Sequence, residues 1–225
     1  MAYILSLETA TTNCSVSLSK NGETLHLKED YGNGYSHAEK LHGYIDDVLK
    51  LEGIEASQLK AIAVSKGPGS YTGLRIGVSA AKGLCFALKV PLISIDTLEA
   101  LAHQVKTNEG LIIPMLDARR MEVYSSIFTH QFTLQRKIEA EVLEETSYLT
   151  LLDKESVTFI GSGVEKTKNL LSHKNAVYIE GKLPSANEMS ALAFAKLEAN
   201  NFEDVAYFEP FYLKDFVALK PKPKF

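Results

Sequence analysis

One loop of this chain combines residue types and a spacing that could do chemistry. Residues 66–73 read Lys-Gly-Pro-Gly-Ser-Tyr-Thr-Gly, and they follow a short apolar run and open a long helical segment. Because backbone N–H groups and the helix dipole concentrate positive potential at such a helix start, Gly67, Gly69 and Ser70 could hold an anion. The glycines equally suit a tight strand-to-helix turn with Ser70 as the helix cap. Both interpretations of the loop stay open at this point.

Two acidic residues occupy matching places in the two halves of the chain. Glu8 ends the apolar run 4–7, and Asp117 ends the apolar run 111–116. Carboxylates at such strand ends could hold Mg²⁺ and, through it, a phosphate. The sequence has no Gly-x-Ser-x-Gly nucleophile motif, no Gly-x-x-x-x-Gly-Lys phosphate loop and no two histidines four residues apart. We therefore predict no transition-metal site.

The composition places the chain among ordinary globular proteins. Of its 225 residues 45% are hydrophobic and 23% are charged, with a net charge of −4, which argues against a surface built throughout to grip nucleic acid. No apolar run is long enough to span a membrane. The first residues lack the basic region of a secretory signal, and Cys14 and Cys85 lie in apolar contexts. These features predict a cytoplasmic protein with reduced cysteines.

Short strands and amphipathic helices must position the loop and the acids. The order strand, acid, polar turn, strand, strand occurs near the start and again after a polar link at 107–110, each time followed by further α/β segments. This order predicts an α/β protein of two similarly built lobes, residues 1–106 and 107–225. The second lobe ends in Lys-Pro-Lys-Pro-Lys-Phe, which is either a solubilising terminus or a phosphate-binding arm.

The helix after the glycine-rich loop has too little charge to face water on most of its surface. Between residues 70 and 88 only Arg75 and Lys82 are charged. A helix that is apolar on nearly every side is expected to be buried on nearly every side. Its own sheet covers one side. The other side needs either the preceding helix, through Leu41 and Ile45, or a second protein.

Several sequence blocks, spread in order along the chain, match a known family. They are Ile-Leu-Ser-Leu-Glu-Thr-Ala at 4–10, Cys-Ser-Val-Ser-Leu at 14–18, Gly-Pro-Gly-Ser-Tyr-Thr-Gly-Leu-Arg-Ile-Gly at 67–77, Met-Leu-Asp-Ala-Arg at 115–119 and Tyr-Leu-Lys at 212–214. These blocks resemble the TsaB family of tRNA threonylcarbamoyladenosine biosynthesis proteins, formerly described as glycoprotease-like. The stretch from about 128 to 185 diverges. The resemblance implies the actin-like ATPase (RNase H-like) fold, with two lobes that each contain a mixed sheet flanked by helices.

The resemblance also implies a role in tRNA modification. The family supports transfer of a threonylcarbamoyl group to adenosine 37, beside the anticodon, in tRNAs that read codons beginning with A. The catalytic paralogue TsaD carries two metal-binding histidines after its fifth strand, where this chain has Thr97 and Leu101. Because leucine cannot ligate a metal and threonine is a poor ligand, the resemblance implies a pseudoenzyme. The alternative is a stand-alone nucleotide hydrolase or peptidase that uses the old ATPase cleft.

Partners follow from the same resemblance. It implies that the chain binds a TsaD-like paralogue through helices of the first lobe, and that a TsaE-like ATPase and tRNA join through the complex. ATP and Mg²⁺ would be used by the assembled complex, with no cofactor held tightly by this chain. Without its partner the apolar surface would favour a homodimer at high concentration. The residues expected at this interface are Leu41, Ile45, Val48, Thr72, Arg75, Ile76, Ser79 and Lys82.

Overall fold

A computed structural model describes residues 1–31 and 36–214 of the chain, so the Lys/Pro-rich tail at 220–225 lies outside the described residues. Two five-stranded sheets, each flanked by helices, form the architecture. The strands are β1 Tyr3–Glu8, β2 Cys14–Lys20, β3 Glu23–Asp30, β4 Leu59–Gly67, β5 Leu92–Asp96, β6 Leu111–Asp117, β7 Glu122–Thr129, β8 Leu134–Val142, β9 Val157–Ile160 and β10 Ala176–Ile179. The helices are α1 His37–Glu52, α2 Tyr71–Leu88, α3 Thr97–Ala102, α4 Leu149–Leu152, α5 Val164–Leu170 and α6 Ala186–Glu198.

The two sheets repeat one strand order. The first sheet runs β3-β2-β1-β4-β5 and the second runs β8-β7-β6-β9-β10. In each, the first strand of the lobe pairs antiparallel with the second and parallel with the fourth. β1 and β6 are therefore equivalent central strands, which is why both are almost continuously buried and apolar. The predicted actin-like α/β fold of two lobes is confirmed.

The last helix does not belong with the second sheet. After β10 the chain returns to the first sheet, where Ala186, Met189 and Ala193 of α6 pack against Ile4 and Ile93. Ser17 Oγ of β2 also donates to the carbonyl oxygen of Ala186 at 2.7 Å. The expectation that 107–225 forms one spatial unit is therefore wrong for α6, because sequence order does not specify which sheet a distant apolar helix covers.

The inner face of α1 also differs from expectation. Leu41 and Val48 are fully buried and Ile45 is 7% exposed, and all three pack into the core above the first sheet with residues such as Leu18 and Val78. They were expected at a partner surface. The correction has a simple cause: the single apolar stripe of α1 covers the first sheet, so these side chains are not on the surface of the lobe.

The side of α2 that faces the sheet carries its small and apolar residues. Its buried residues are Gly73, Leu74, Gly77, Val78, Ala81 and Cys85. The opposite side is open, with Thr72 and Ser79 exposed and Phe86 83% exposed. The sequence left either α1 or a second protein to pack against that side of α2. α1 covers only a part of it, because a groove separates the outer surfaces of the two helices.

Candidate functional site

A groove of about 760 Å³ runs between α1 and α2 on the outer surface of the first lobe. Ala38 and His42 line it from α1. The residues that line it from α2 are Tyr71, Thr72, Arg75, Ile76, Ser79, Ala80, Gly83 and Leu84. Most of these side chains are small or apolar, and they recur every three or four residues along the helix, so the groove has the shape and chemistry that a packing helix requires.

The start of α2 is fixed by a close fit to the turn after β1. Ser70 caps the helix, its Oγ accepting from the Gly73 N–H, and its own N–H donates to the carbonyl oxygen of Ala10 at 2.7 Å. A Cβ on Gly69 would lie 2.4 Å from that oxygen, and one on Gly67 would lie 2.7 Å from the carbonyl oxygen of Phe211. The loop glycines are thus required by packing within the chain. The anion-binding role of Gly67, Gly69 and Ser70 stays a prediction.

Two glycines in the helices that form the groove are not required by any close contact within the described chain. Gly43 of α1 and Gly83 of α2 are both exposed, and a Cβ on either would meet nothing within 4 Å. A glycine inside a helix destabilises it by about 1 kcal/mol relative to alanine. Nothing in the described chain approaches these positions, so packing within the chain does not explain either glycine.

Arg75 is the charged side chain of the groove. It lies over the Tyr71 ring, 5.4 Å from the centroid, and donates to the Tyr71 hydroxyl at 3.2 Å. The Tyr71 ring in turn packs on Tyr212 with 4.8 Å between centroids. Within the described residues no carboxylate pairs with Arg75. The guanidinium is therefore held over the Tyr71 ring, and no carboxylate of the described residues offsets its charge by an ion pair.

The predicted interface residues are divided by the structure. Thr72, Arg75, Ile76 and Ser79 line the groove. Lys82 instead donates to the carbonyl oxygens of Ala206 and Phe208, at 3.1 and 2.9 Å, and holds the C-terminal segment on α2. Together with the core placement of Leu41, Ile45 and Val48, this leaves four of the eight residues in the groove.

Sequence reasoning missed Ala38, His42, Tyr71 and Gly83. The first two lie on the same helix as the mispredicted core residues, at the exposed edge of its buried stripe. An exposed glycine inside an otherwise regular helix is the signal that could have found Gly83.

The acids at the equivalent ends of β1 and β6 have different surroundings. Glu8 is fully buried, and its Oε1 accepts from the Ala10 N–H at 2.6 Å and from Ser65 Oγ at 2.9 Å, while its Oε2 has no partner among the described residues. Burial raises the pKa of Glu8 to about 7 despite these hydrogen bonds. Asp117 is exposed and binds Lys166 Nζ at 2.8 Å and the Arg119 N–H at 2.6 Å.

The local roles of these two acids have a chemical consequence. A buried carboxyl that is half protonated near neutral pH is a poor Mg²⁺ ligand, and one of the two carboxylate oxygens of Asp117 already accepts from a lysine. Thr97 and Leu101, where the family resemblance implies histidines in the catalytic paralogue, are fully buried. No group of three or more His, Cys, Asp and Glu side chains that could hold a metal ion occurs within 1–31 and 36–214. In the same ranges no helix combines the length and apolar character needed to cross a bilayer.

Known proteins resemble this chain in both sequence and fold. The family model of TsaD, tRNA N6-adenosine threonylcarbamoyltransferase, matches residues 33–222. The chain belongs to this family. Within the TsaD family, the chain is 29% identical to the tRNA threonylcarbamoyladenosine biosynthesis protein TsaB of Haemophilus influenzae, covering 98% of this chain and 97% of that protein. It also superimposes on the crystal structure of YeaZ from Pseudomonas aeruginosa with a TM-score of 0.81 and 26% identity, covering 95% of this chain and 100% of that one.

The chain matches a transferase of the TsaD family over a much shorter stretch than it matches TsaB. The chain is 32% identical to the tRNA N6-adenosine threonylcarbamoyltransferase of Phocaeicola vulgatus, but the match covers 47% of this chain and only 36% of that protein. The match to TsaB is nearly complete in both directions. The resemblance to TsaB predicted from the sequence blocks is therefore confirmed.

Proposed function

We propose that the chain is a non-catalytic subunit in threonylcarbamoyl transfer to adenosine 37 of tRNAs that read codons beginning with A, and that it acts by binding a TsaD-like transferase. The biosynthetic role comes from the nearly full-length similarity to TsaB proteins. The mode of action comes from the groove between α1 and α2. One observation carries it: Gly43 and Gly83 sit exposed inside the two helices, with no neighbour in the described chain.

The groove suits a pair of helices from the partner. Interhelical distances fall toward the short end of about 8–10 Å when small residues lie at the contact, and Gly83, Ser79 and Ala80 supply a small-residue seam on α2. Apolar contact with Ile76 and Leu84 adds the hydrophobic stabilisation. A carboxylate of the partner at Arg75 then sets the register, because charge complementarity contributes more to specificity than to affinity.

The other partners join through this complex. In our proposal a TsaE-like ATPase and tRNA bind the assembled subunits, and ATP and Mg²⁺ are used there rather than held tightly by this chain. Self-pairing through the same groove is expected when the partner is absent, since an exposed apolar groove favours association at high concentration. We propose that this process takes place in the cytoplasm, as predicted from the sequence.

The test is a binding titration between the full chain and the TsaD-like transferase of the same genome. Gly83→Leu fills the seam and Arg75→Glu places a like charge opposite the expected carboxylate. Each is expected to raise the Kd at least about tenfold, which is about 1.4 kcal/mol, and to lower tRNA modification in the reconstituted system accordingly. Both positions are exposed, so the melting temperature should stay within a few degrees of that of the unsubstituted chain.

Matched controls lie on other surfaces. Ala191→Leu adds the same side chain to an exposed position of α6, and Lys154→Glu makes the same charge change beyond the end of α4. Neither should change the Kd. If Gly83→Leu and Arg75→Glu bind the transferase as tightly as the controls do, the groove is not the docking surface and the proposal is wrong.

A further inference from the structure

A second cavity, of about 420 Å³, lies between the two lobes and shares no lining residue with the α1–α2 groove; we term it the inter-lobe cavity. Its first wall is formed by the ends of β4 and β5 and by the start of α3. Its second wall is the β7–β8 hairpin, which contributes Phe128, Leu134 and Ile138, while Phe211 of the C-terminal segment closes one side. The size and the mainly apolar lining match those of small-molecule sites.

Two polar groups that line the inter-lobe cavity make no side-chain hydrogen bond with any residue that the structure describes. Ser126 is fully buried, and its Oγ makes no hydrogen bond with any described residue. Glu99 likewise has no hydrogen bond or ion pair among the described residues, and burial, with Asp96 nearby, raises the pKa of its carboxyl. An unmade hydrogen bond at a buried polar atom costs free energy that a suitable ligand recovers.

The remaining charges of the inter-lobe cavity decide what sign of ligand fits. Lys66 and Asp96 form an ion pair at 3.2 Å, so their charges offset each other. Lys137 is exposed at the rim, where its ammonium is solvated. Lys196 and Lys66 also act on the carboxyl of Glu99, but neither forms an ion pair with it. Its oxygens accept no hydrogen bond from the described residues, so they favour a ligand that donates hydrogen bonds. Phe128 also lines the cavity, and because aromatic rings attract ammonium groups, a cationic donor fits better than a neutral one.

We propose that the inter-lobe cavity binds a small organic cation, a primary amine on an aromatic or branched aliphatic body. Its ammonium donates hydrogen bonds to the carboxylate of Glu99 and to Ser126 Oγ, and its body packs against Phe128 and Leu134. The amine requirement comes from the two unpartnered oxygens, and the requirement for an apolar body comes from the hairpin wall. This binding is independent of the partner groove and of the proposed subunit role.

The experiment uses the full chain and phenethylamine as the probe, followed by isothermal titration calorimetry and ligand-observed NMR. The expected result is saturable binding with a Kd of about 10 mM or tighter, which lies within the affinity bound for a ligand of this size. Two analogues of the same shape separate charge from hydrophobicity. The neutral 2-phenylethanol should bind at least about tenfold more weakly, which is about 1.4 kcal/mol, and the anionic phenylacetate should not bind.

Variants locate the site. Glu99→Gln should weaken phenethylamine binding at least about tenfold, and Ser126→Ala should weaken it to a smaller extent. Glu155→Gln, which changes an exposed acid of the second lobe, should leave it unchanged. Phe128→Ala reports on the wall if Glu99→Gln melts at a lower temperature. Absence of binding, equal binding of amine and alcohol, or unchanged binding in both Glu99→Gln and Ser126→Ala overturns the proposal.

Discussion

The hydroxyl of Thr9 donates a 2.8 Å hydrogen bond to the carbonyl oxygen of Gly73, which joins the end of β1 to the first turn of α2. The approach is possible only because Gly73 lacks a side chain, since a Cβ there would lie 2.1 Å from the carbonyl oxygen of Thr9. The orientation of the helix that lines the partner groove is thus set by a backbone contact with the central sheet.

This contact predicts opposite effects for one substitution at two glycines of α2. Gly73→Ala forces the backbone of Thr9 to move and should lower the free energy of unfolding by about 1–3 kcal/mol, as overpacking does. Gly83→Ala meets open space and should raise it by up to about 1 kcal/mol through helix propensity. Urea denaturation of both variants measures the difference. Equal effects at the two positions would show that the fit around Gly73 is not tight.

The buried carboxyl of Glu8 predicts a pH-dependent stability. Its pKa of about 7 in the folded chain is above its ordinary value of 4.5, so the folded state binds more protons between these values. The free energy of unfolding should therefore fall as pH rises from about 4.5 through 7, by about 3 kcal/mol from this group. Below 4.5 the group contributes no penalty, and above 7 the penalty is complete.

Glu8→Gln isolates this contribution, because it removes the titration and keeps the size of the side chain. Denaturation of both proteins between about pH 5 and pH 8 gives the difference in stability as a function of pH. We expect the variant to lose less stability than the unsubstituted chain as pH rises. Parallel curves for the two proteins would mean that Glu8 does not titrate in this range.

The core placement of Ile45 predicts that a charge there unfolds the chain. Ile45 is 7% exposed and packs with Leu41 and Val48, so Ile45→Asp buries an unpaired carboxylate at a cost of several kcal/mol. Because a domain is stable by only about 5–15 kcal/mol, the variant should lose its folded circular dichroism spectrum at moderate temperature. Ser79→Asp introduces the same group at an exposed groove position and should stay folded while binding the transferase more weakly. A folded Ile45→Asp variant would contradict the placement of this side chain.

The residues at the paralogue's metal positions predict an inert isolated chain. With Thr97 and Leu101 there, both fully buried, we expect no threonylcarbamoyl transfer, no ATP hydrolysis above background and no stoichiometric transition metal in the purified protein. Elemental analysis and a steady-state ATPase assay check these expectations. About one zinc or iron per chain, lost when nearby residues are changed, would contradict the metal prediction.

The order of the main strands and the helix after the glycine-rich loop were determined by the sequence alone. Period-2 alternation from Cys14 to Leu18 and the apolar runs that end at Glu8 and Asp117 depend on neighbouring residues, so they specify strands wherever those strands finally pair. The repeated order of strand, acid, turn, strand and strand then sufficed to predict two similar lobes, because consecutive elements tend to lie side by side. The glycine-rich block at 67–77 indicated the family to which the chain belongs.

Only the tertiary structure decided which element packs against each apolar face. The stripe of Leu41, Ile45 and Val48 shows that α1 must bury one side, but periodicity does not say whether a sheet of the same chain or a second protein lies against it. Likewise α6, which packs on the first sheet, and Ser126, which faces the inter-lobe cavity, obtain their neighbours from residues far away in sequence. A hydrophobic pattern specifies that a face is buried. Because the hydrophobic effect is non-directional, the pattern does not specify which element covers that face, and only long-range packing does.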